Sequence, residues 1–313
     1  MFVRNETNPG VIDTLALGFG AIARQAWVLI IPVALDVTLW WGPKLSPGPL
    51  LRQLVGIALL PPDAQSQYLE ALQGVNLAAL LSAGVLGTPS LVPSLMSQSP
   101  LGWGVIEIER GEVLIGLFVL LSLTGLLLGT LYLGLIAHTL RKEGTGWGKQ
   151  LSRYMLTSVR ILAYLALVAG GIGVLALFFV PLILFASLFS QELAGLLLAG
   201  LLVFLIWAGF YFFFALPAIL VDEVGPLRAM WSSFLVVRYH FGSSLLFVGL
   251  ALLIARGLFE VWRALAATPW GIALGILGNA YIGSGLIAAS LIFYRDRLQR
   301  TVRQVGPRRL PQL

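Results

Sequence analysis

The sequence predicts an all-α integral membrane protein, a single membrane domain over residues 1–313 with about six transmembrane helices and interfacial amphipathic helices. Three observations predict it. Only 11% of the 313 residues are charged and 58% are hydrophobic, whereas a soluble domain carries about 25% charged and about 45–50% apolar residues. The apolar excess is gathered into uncharged runs, and Val113–Ala137, Ile161–Ser190 and Leu193–Val221 all exceed the roughly 20 residues that a bilayer-crossing helix needs. Basic residues mostly flank these runs instead of interrupting them. A soluble globule is excluded, as are disorder and coiled coil, which need far more charge. Cysteine is absent, so disulfides, thiolate metal sites and cysteine nucleophiles are excluded as well.

Each element follows in order. The first ten residues are polar and include Glu6, unlike a cleavable signal peptide, so the mature chain is expected to begin at Met1. Val11–Arg24 mixes small, hydroxylic and apolar residues and reads as a helix lying in the interface. Span one is Ala26–Trp41, interrupted by Asp36. Residues 42–111 then form a long outer insertion, partly helical. Its apolar stretches, Leu50–Leu60 and Val75–Leu86, are broken by Pro61-Pro62, Pro89 and Pro93. Neither stretch is long enough to span, so short helices on the outer face or dipping into the interface are expected. The insertion is either a lid over the bundle or a binding surface.

Span two is Val113–Ala137. A second amphipathic segment, Gly146–Arg160, precedes span three, Ile161–Ser190, which turns tightly near Gln191–Glu192 into span four, Leu193–Val221. The third amphipathic segment, Gly225–Arg238, opens on the breaker Gly225-Pro226 and places Leu227, Met230, Trp231, Phe234 and Leu235 on one helical face. Span five, Phe241–Trp262, carries Arg256 and Glu260, and span six is Gly271–Tyr294. The amphipathic segments all precede odd-numbered spans, which suggests three repeated units of interfacial helix plus hairpin. The stretch 295–313 is expected to be a basic cytoplasmic tail.

Charge sets the orientation. The net charge of +6 would suggest nucleic acid in a soluble chain, but here it tracks the loops, and no nucleic-acid role is expected. With both termini inside, the inner segments hold most of the basic residues, from Arg4 and Arg24 through Arg141, Lys142 and Arg153 to the Arg295–Arg309 tail. The outer segments hold Lys44, Arg52, Arg110 and Arg263. The positive-inside rule therefore predicts N-in and C-in. Trp40, Trp41, Trp262 and Trp270 then fall at the outer interface, where indole prefers to lie.

One stretch carries a resemblance. Phe214-Ala-Leu-Pro217 ends a span, Asp222 and Glu223 follow, then Gly225 and a helix bearing Ala229, Ser232 and Ser233; the chain closes with Tyr294-Arg-Asp296-Arg297. This pattern is similar to poorly characterised prokaryotic membrane proteins, a group that includes the membrane domain attached to some glycerophosphodiester phosphodiesterases. The likeness covers mainly Tyr164 to Arg297. It implies an architecture and a prokaryotic cytoplasmic membrane, and no reaction. The catalytic domain of that family is a separate soluble barrel, which no segment here has the composition to form. His138 and His240 are followed by Thr and Phe, not by the arginine of that family's catalytic His-Arg pair.

Candidate chemistry centres on charge at membrane depth. Asp36, Arg256 and Glu260 lie within spans, where ionisable groups are costly and mark a pathway or a paired lock. At 1.5 Å per residue, Asp36 lies about 15 Å along span one and Arg256 about 18–20 Å along span five, so the two could meet. An Asp36–Arg256 packing lock is one reading. A polar substrate or proton site between helices one and five, with Asn279 nearby, is the other. Gly271, Gly275, Asn279 and Gly283 recur every four residues on helix six, and Gly125 and Gly129 do so on helix two; such faces let helices approach closely. No metal-ligand cluster, nucleophile elbow or phosphate loop is present in the sequence, and no cofactor is implied. The expected function is therefore that of a non-catalytic scaffold or accessory subunit acting on membrane lipids or partner membrane proteins. A transporter or lipid-translocating protein using the charges of helices one and five is the alternative.

Overall fold

The computed structural model describes residues 9–57, 75–82, 88–94, 104–141 and 147–305. The ends of the two apolar stretches of the insertion, Pro61-Pro62, Lys142, Arg308 and Arg309 lie outside the described residues. What is described is an all-α membrane protein. Five helices are long and apolar enough to cross a membrane, and a sixth span is present if the pair Val11–Arg24 and Ala26–Trp41, bent by 86°, counts as one.

The first helix, α1 (Val11–Arg24), is an amphipathic segment as expected. Asp13 accepts the Gly10 amide at 2.9 Å, satisfying one of the orphan donors at the helix start. A 3-10 turn at Ala26–Leu29 breaks the direction before α2 (Ile30–Trp41). Within the insertion, β1 (Lys44–Ser46) pairs in parallel with β2 (Val105–Glu107), so the insertion is closed at its base. Between them lie α3 (Gly48–Ile57) and the 3-10 turns Leu77–Ser82 and Val92–Ser94. The long helices follow: α4 (Gly111–Arg141), α5 (Trp147–Ser187) and α6 (Gln191–Phe212). Ser190 caps α6 by accepting the Leu193 amide at 3.3 Å. Two short helices, α7 (Ala215–Asp222) and α8 (Pro226–Tyr239), lead into α9 (Phe241–Leu265) and α10 (Pro269–Val305).

One expectation needs correction. The second amphipathic segment is not a separate helix, because Gly146–Arg160 has no breaker like Gly225-Pro226 and runs on into the 41 residues of α5. The repeat of three helix-plus-hairpin units therefore keeps separate interfacial helices only before spans one and five. Residues 295–305 of the expected basic tail are helical. They continue α10, with Arg297 and Thr301 buried.

The chain forms two compact units, each assembled from stretches distant in sequence. The first comprises Met1–Leu17, Glu143–Ala251 and Ala289–Leu313; the second comprises Gly18–Lys142 and Leu252–Ala288. In the first unit α5 and α6 make a hairpin whose most apolar windows contain no buried residue, as suits helices bathed in lipid. α8 turns its small and hydroxylic face inward, burying Ala229, Ser232, Ser233, Val236 and Val237, while Leu227 and Trp231 stay exposed. In lipid the large apolar side chains gain nothing by facing inward, and small residues let backbones approach. In the second unit Leu35, Leu39, Val92, Ile272 and Ile276 form a core extended by Trp40, Leu81 and Ala266. Tyr132 of α4 and Ser284 of α10 share a buried hydrogen bond of 2.7 Å there.

Candidate functional site

Asp36 is fully buried on α2. Its carboxylate accepts hydrogen bonds from the Ser90 hydroxyl, from the Leu91 amide at 2.9 Å and from the Val92 amide at 3.3 Å. These two amides open the Val92–Ser94 turn, whose first N–H groups have no partner within the turn. An unsatisfied amide costs several kcal/mol where water is scarce. A carboxylate takes several donors at once and returns none. Asp36 therefore serves as a cap for non-helical backbone.

That backbone is inserted among the helices. The Pro89 ring fills the space that a Cβ on Gly283 would take, and the Leu91 side chain lies 2.8 Å from the corresponding point at Gly275. Likewise the Leu80 and Leu81 backbone occupies the space beside Gly125 of α4. Gly125 and Gly283 each lie about 21 Å along their helices at 1.5 Å per residue. Residues 77–82 and 88–94 of the insertion are thus re-entrant segments, where a covering lid was one expectation. The glycine face expected to bring helices together receives mainly the insertion. Trp262 of α9 does pack on it, at Gly275 and Gly278, and Gly271 accommodates the Leu265 carbonyl and Thr268 hydroxyl where the last hairpin turns. Gly129 is buried on α4, and Asn279 is half-buried on α10 between Gly275 and Gly283.

Arg256 does not meet Asp36, which takes its partners from the insertion. It pairs with Glu260 at 3.0 Å, and Glu260 also accepts from Arg263 at 2.6 Å. The Arg256 guanidinium lies over the Phe259 ring, 5.5 Å from its centroid. These side chains face outward, with Arg256 75% exposed and Arg263 60%. The four intramembrane candidates thus fall into an internal cap (Asp36), an outward charge ladder (Arg256 and Glu260) and Asn279 on the insertion-packed face.

A second polar cluster lies in the other unit, and it joins the two motifs that carried the resemblance. Phe214 stacks on Phe293 at 5.2 Å, and Phe293 on Phe247 at 4.6 Å. Ser233 bridges the break between α6 and α7, accepting the Phe214 amide at 3.1 Å and donating to the Tyr211 carbonyl at 2.7 Å. Asp222 accepts the Tyr294 hydroxyl at 2.5 Å, and Glu223 ends α7 in the left-handed region at φ 54°. Asp296 pairs with Arg297 at 3.2 Å and with Arg300 at 2.8 Å. Both arginines donate to the Pro9 carbonyl, at 3.5 and 3.4 Å, fastening the chain ahead of α1. His240 caps α8; burial first, and then the positive charges of Arg297 and Arg300, hold its imidazole below the ordinary histidine range.

Sequence reading missed Ser90, Tyr132, Ser284 and the Pro9 carbonyl. Only Ser90 leaves a trace, as a hydroxyl between Pro89 and Pro93 in an apolar stretch. Among the described residues no group of three or more His, Asp or Glu could hold a metal ion. Comparison with protein-family models, curated proteins and solved structures finds no match for this chain.

Proposed function

We propose that this multi-pass membrane protein is a non-catalytic scaffold or accessory subunit that engages membrane lipids or partner membrane proteins, with both termini cytoplasmic in a prokaryotic inner membrane. The carrying observation is the fate of its intramembrane charges. Asp36 is used up in capping the protein's own re-entrant backbone, while Arg256, Glu260 and Arg263 face outward. Among the described residues they build no polar path between helices one and five. Charged groups presented outward from a span are available to a neighbouring protein or to lipid headgroups. The glycerophosphodiester-phosphodiesterase-type membrane domain that the second half resembles fits such a role, because that module carries no catalytic site of its own.

Transport is the second reading, favoured by the re-entrant segments, since non-helical backbone at depth is tolerated where it is buried or lines a cavity. Purification in native-lipid nanodiscs, followed by reconstitution, separates the two. A stoichiometric protein or lipid species that copurifies supports the accessory role. Solute movement across vesicles containing the chain alone overturns it. Orientation is tested in the cysteine-free chain by Leu188→Cys, expected to label from outside, and Ser152→Cys, expected to label only from within.

A further inference from the structure

We infer that the exposed face of α8 is a recognition surface for anionic phospholipid headgroups. This deepens the lipid arm of the accessory reading and rests on it. α8 joins the candidate span that ends at Asp222 to the one that begins at Phe241, so connectivity places it at a membrane boundary. Its small residues face inward. The opposite face presents Leu227, 69% exposed, and Trp231, 49% exposed, together with Arg228, Arg238 and Tyr239. Arg228 and Arg238 fall within about 80° of each other around the helix, with Trp231 between them, and lie about 15 Å apart along its axis.

Neither water nor hydrocarbon suits this mixture. Water leaves the apolar half of the face solvated, and hydrocarbon strands two guanidiniums. The headgroup layer takes both, because apolar side chains and the indole sink toward the acyl boundary while arginine heads reach phosphate. Trp231 is set for that position: it stacks on Phe234 at 5.6 Å, and Phe234 packs on Tyr211 of α6 at 5.2 Å. The charge then selects the headgroup. α8 contains no acidic residue, and Asp222 just ahead of it accepts from Tyr294. No carboxylate pairs with Arg228 or Arg238 among the described residues. Two unneutralised arginines on one exposed face complement a net-negative lipid, whereas a zwitterionic headgroup brings its own cation with its phosphate. Lipid reaches the face directly, because the α5–α6 hairpin that α8 packs against has no buried residue in its most apolar windows.

The test is photocrosslinking of the purified chain in nanodiscs of phosphatidylglycerol and phosphatidylcholine in equal amounts. A benzophenone maleimide is attached at Leu227→Cys, and at Leu177→Cys on α5 as a control on the lipid-facing hairpin; Leu177 is 71% exposed. Lipid adducts identified by mass spectrometry should favour phosphatidylglycerol by about fivefold at Leu227→Cys, the weight of one arginine near an anionic surface. They should show no preference at Leu177→Cys. Arg228→Gln combined with Arg238→Gln should abolish the preference, and high salt should reduce it by screening. Arg228→Lys combined with Arg238→Lys should retain it. Because both arginines are exposed, unchanged melting of the doubly substituted chain shows that any loss is not a loss of folding. Equal adducts at Leu227→Cys, indifference to the double glutamine substitution, or a preference lost with lysine as fully as with glutamine overturns the proposal. A discrete protein adduct at Leu227→Cys in native membranes also overturns it, by placing a partner chain on the face. The accessory reading fails separately, by solute flux in vesicles.

Discussion

Removal of the Asp36 carboxylate should release the re-entrant segment. In Asp36→Ala the amides of Leu91 and Val92 lose their acceptor, as does the Ser90 hydroxyl. Ser90 is only half-buried and its hydroxyl can rotate to another partner, so the two amides set the loss. Each unsatisfied buried amide costs about 1–3 kcal/mol, and with partial relaxation a destabilisation of about 3 kcal/mol is expected. Asp36→Asn keeps one carbonyl oxygen but loses the charge-assisted bonds and turns an amide group toward donors, for about 1–2 kcal/mol. Against a typical total stability of about 5–15 kcal/mol, both effects are measurable. The assay is denaturant unfolding in mixed micelles, followed by tryptophan fluorescence, with limited proteolysis of the insertion as a local readout. Faster cleavage in Asp36→Ala is expected. If Asp36→Ala lies within about 0.5 kcal/mol of the parent, the capping role is refuted. The Asp36–Arg256 double-mutant cycle should be additive within about 0.3–0.5 kcal/mol, because the residues share no partner. Coupling above that would restore the packing lock.

Gly125→Ala should destabilise by about 1–3 kcal/mol, because its Cβ would meet the Leu80 and Leu81 backbone, which cannot swing aside. Gly171→Ala has open space around it and should instead stabilise by about 0.5–1 kcal/mol through helix propensity; equal effects at the two sites in thermal unfolding would contradict the re-entrant packing. Tyr294→Phe should cost about 1–2 kcal/mol in the same assay by taking a donor from Asp222, and a neutral result would remove Asp222 from the motif contact. His240 has its pKa lowered on folding, so the unfolded chain takes up the proton first as pH falls through about 6.5. Stability should therefore be retained above that pH and decline below it, and His240→Gln should flatten this part of the curve; an unchanged slope would assign the acid sensitivity to other groups.

Much of the architecture was legible because the bilayer imposes it locally. Each spanning run must satisfy its own backbone, so length and apolarity suffice to find α4, α5, α6, α9 and α10. Gly225-Pro226 likewise marks the start of α8 from its own chemistry. What lacks a local signal is pairing between distant residues. Asp36 could be seen as a costly charge, but its partners lie more than fifty residues away, in a segment whose prolines read only as breakers. The glycine ridges announced close approach without saying what approaches, since a Cβ-free face accepts a helix or an extended segment equally well. The outward turn of Arg256 depends on which side of α9 the rest of its unit occupies, which helical spacing alone leaves open. The sequence by itself determined that the chain spans the membrane and where its charges lie along each helix, because hydrophobic length acts residue by residue. Only the tertiary structure decided which charge is buried as a cap and which is presented outward, because that choice depends on packing between segments far apart in the chain.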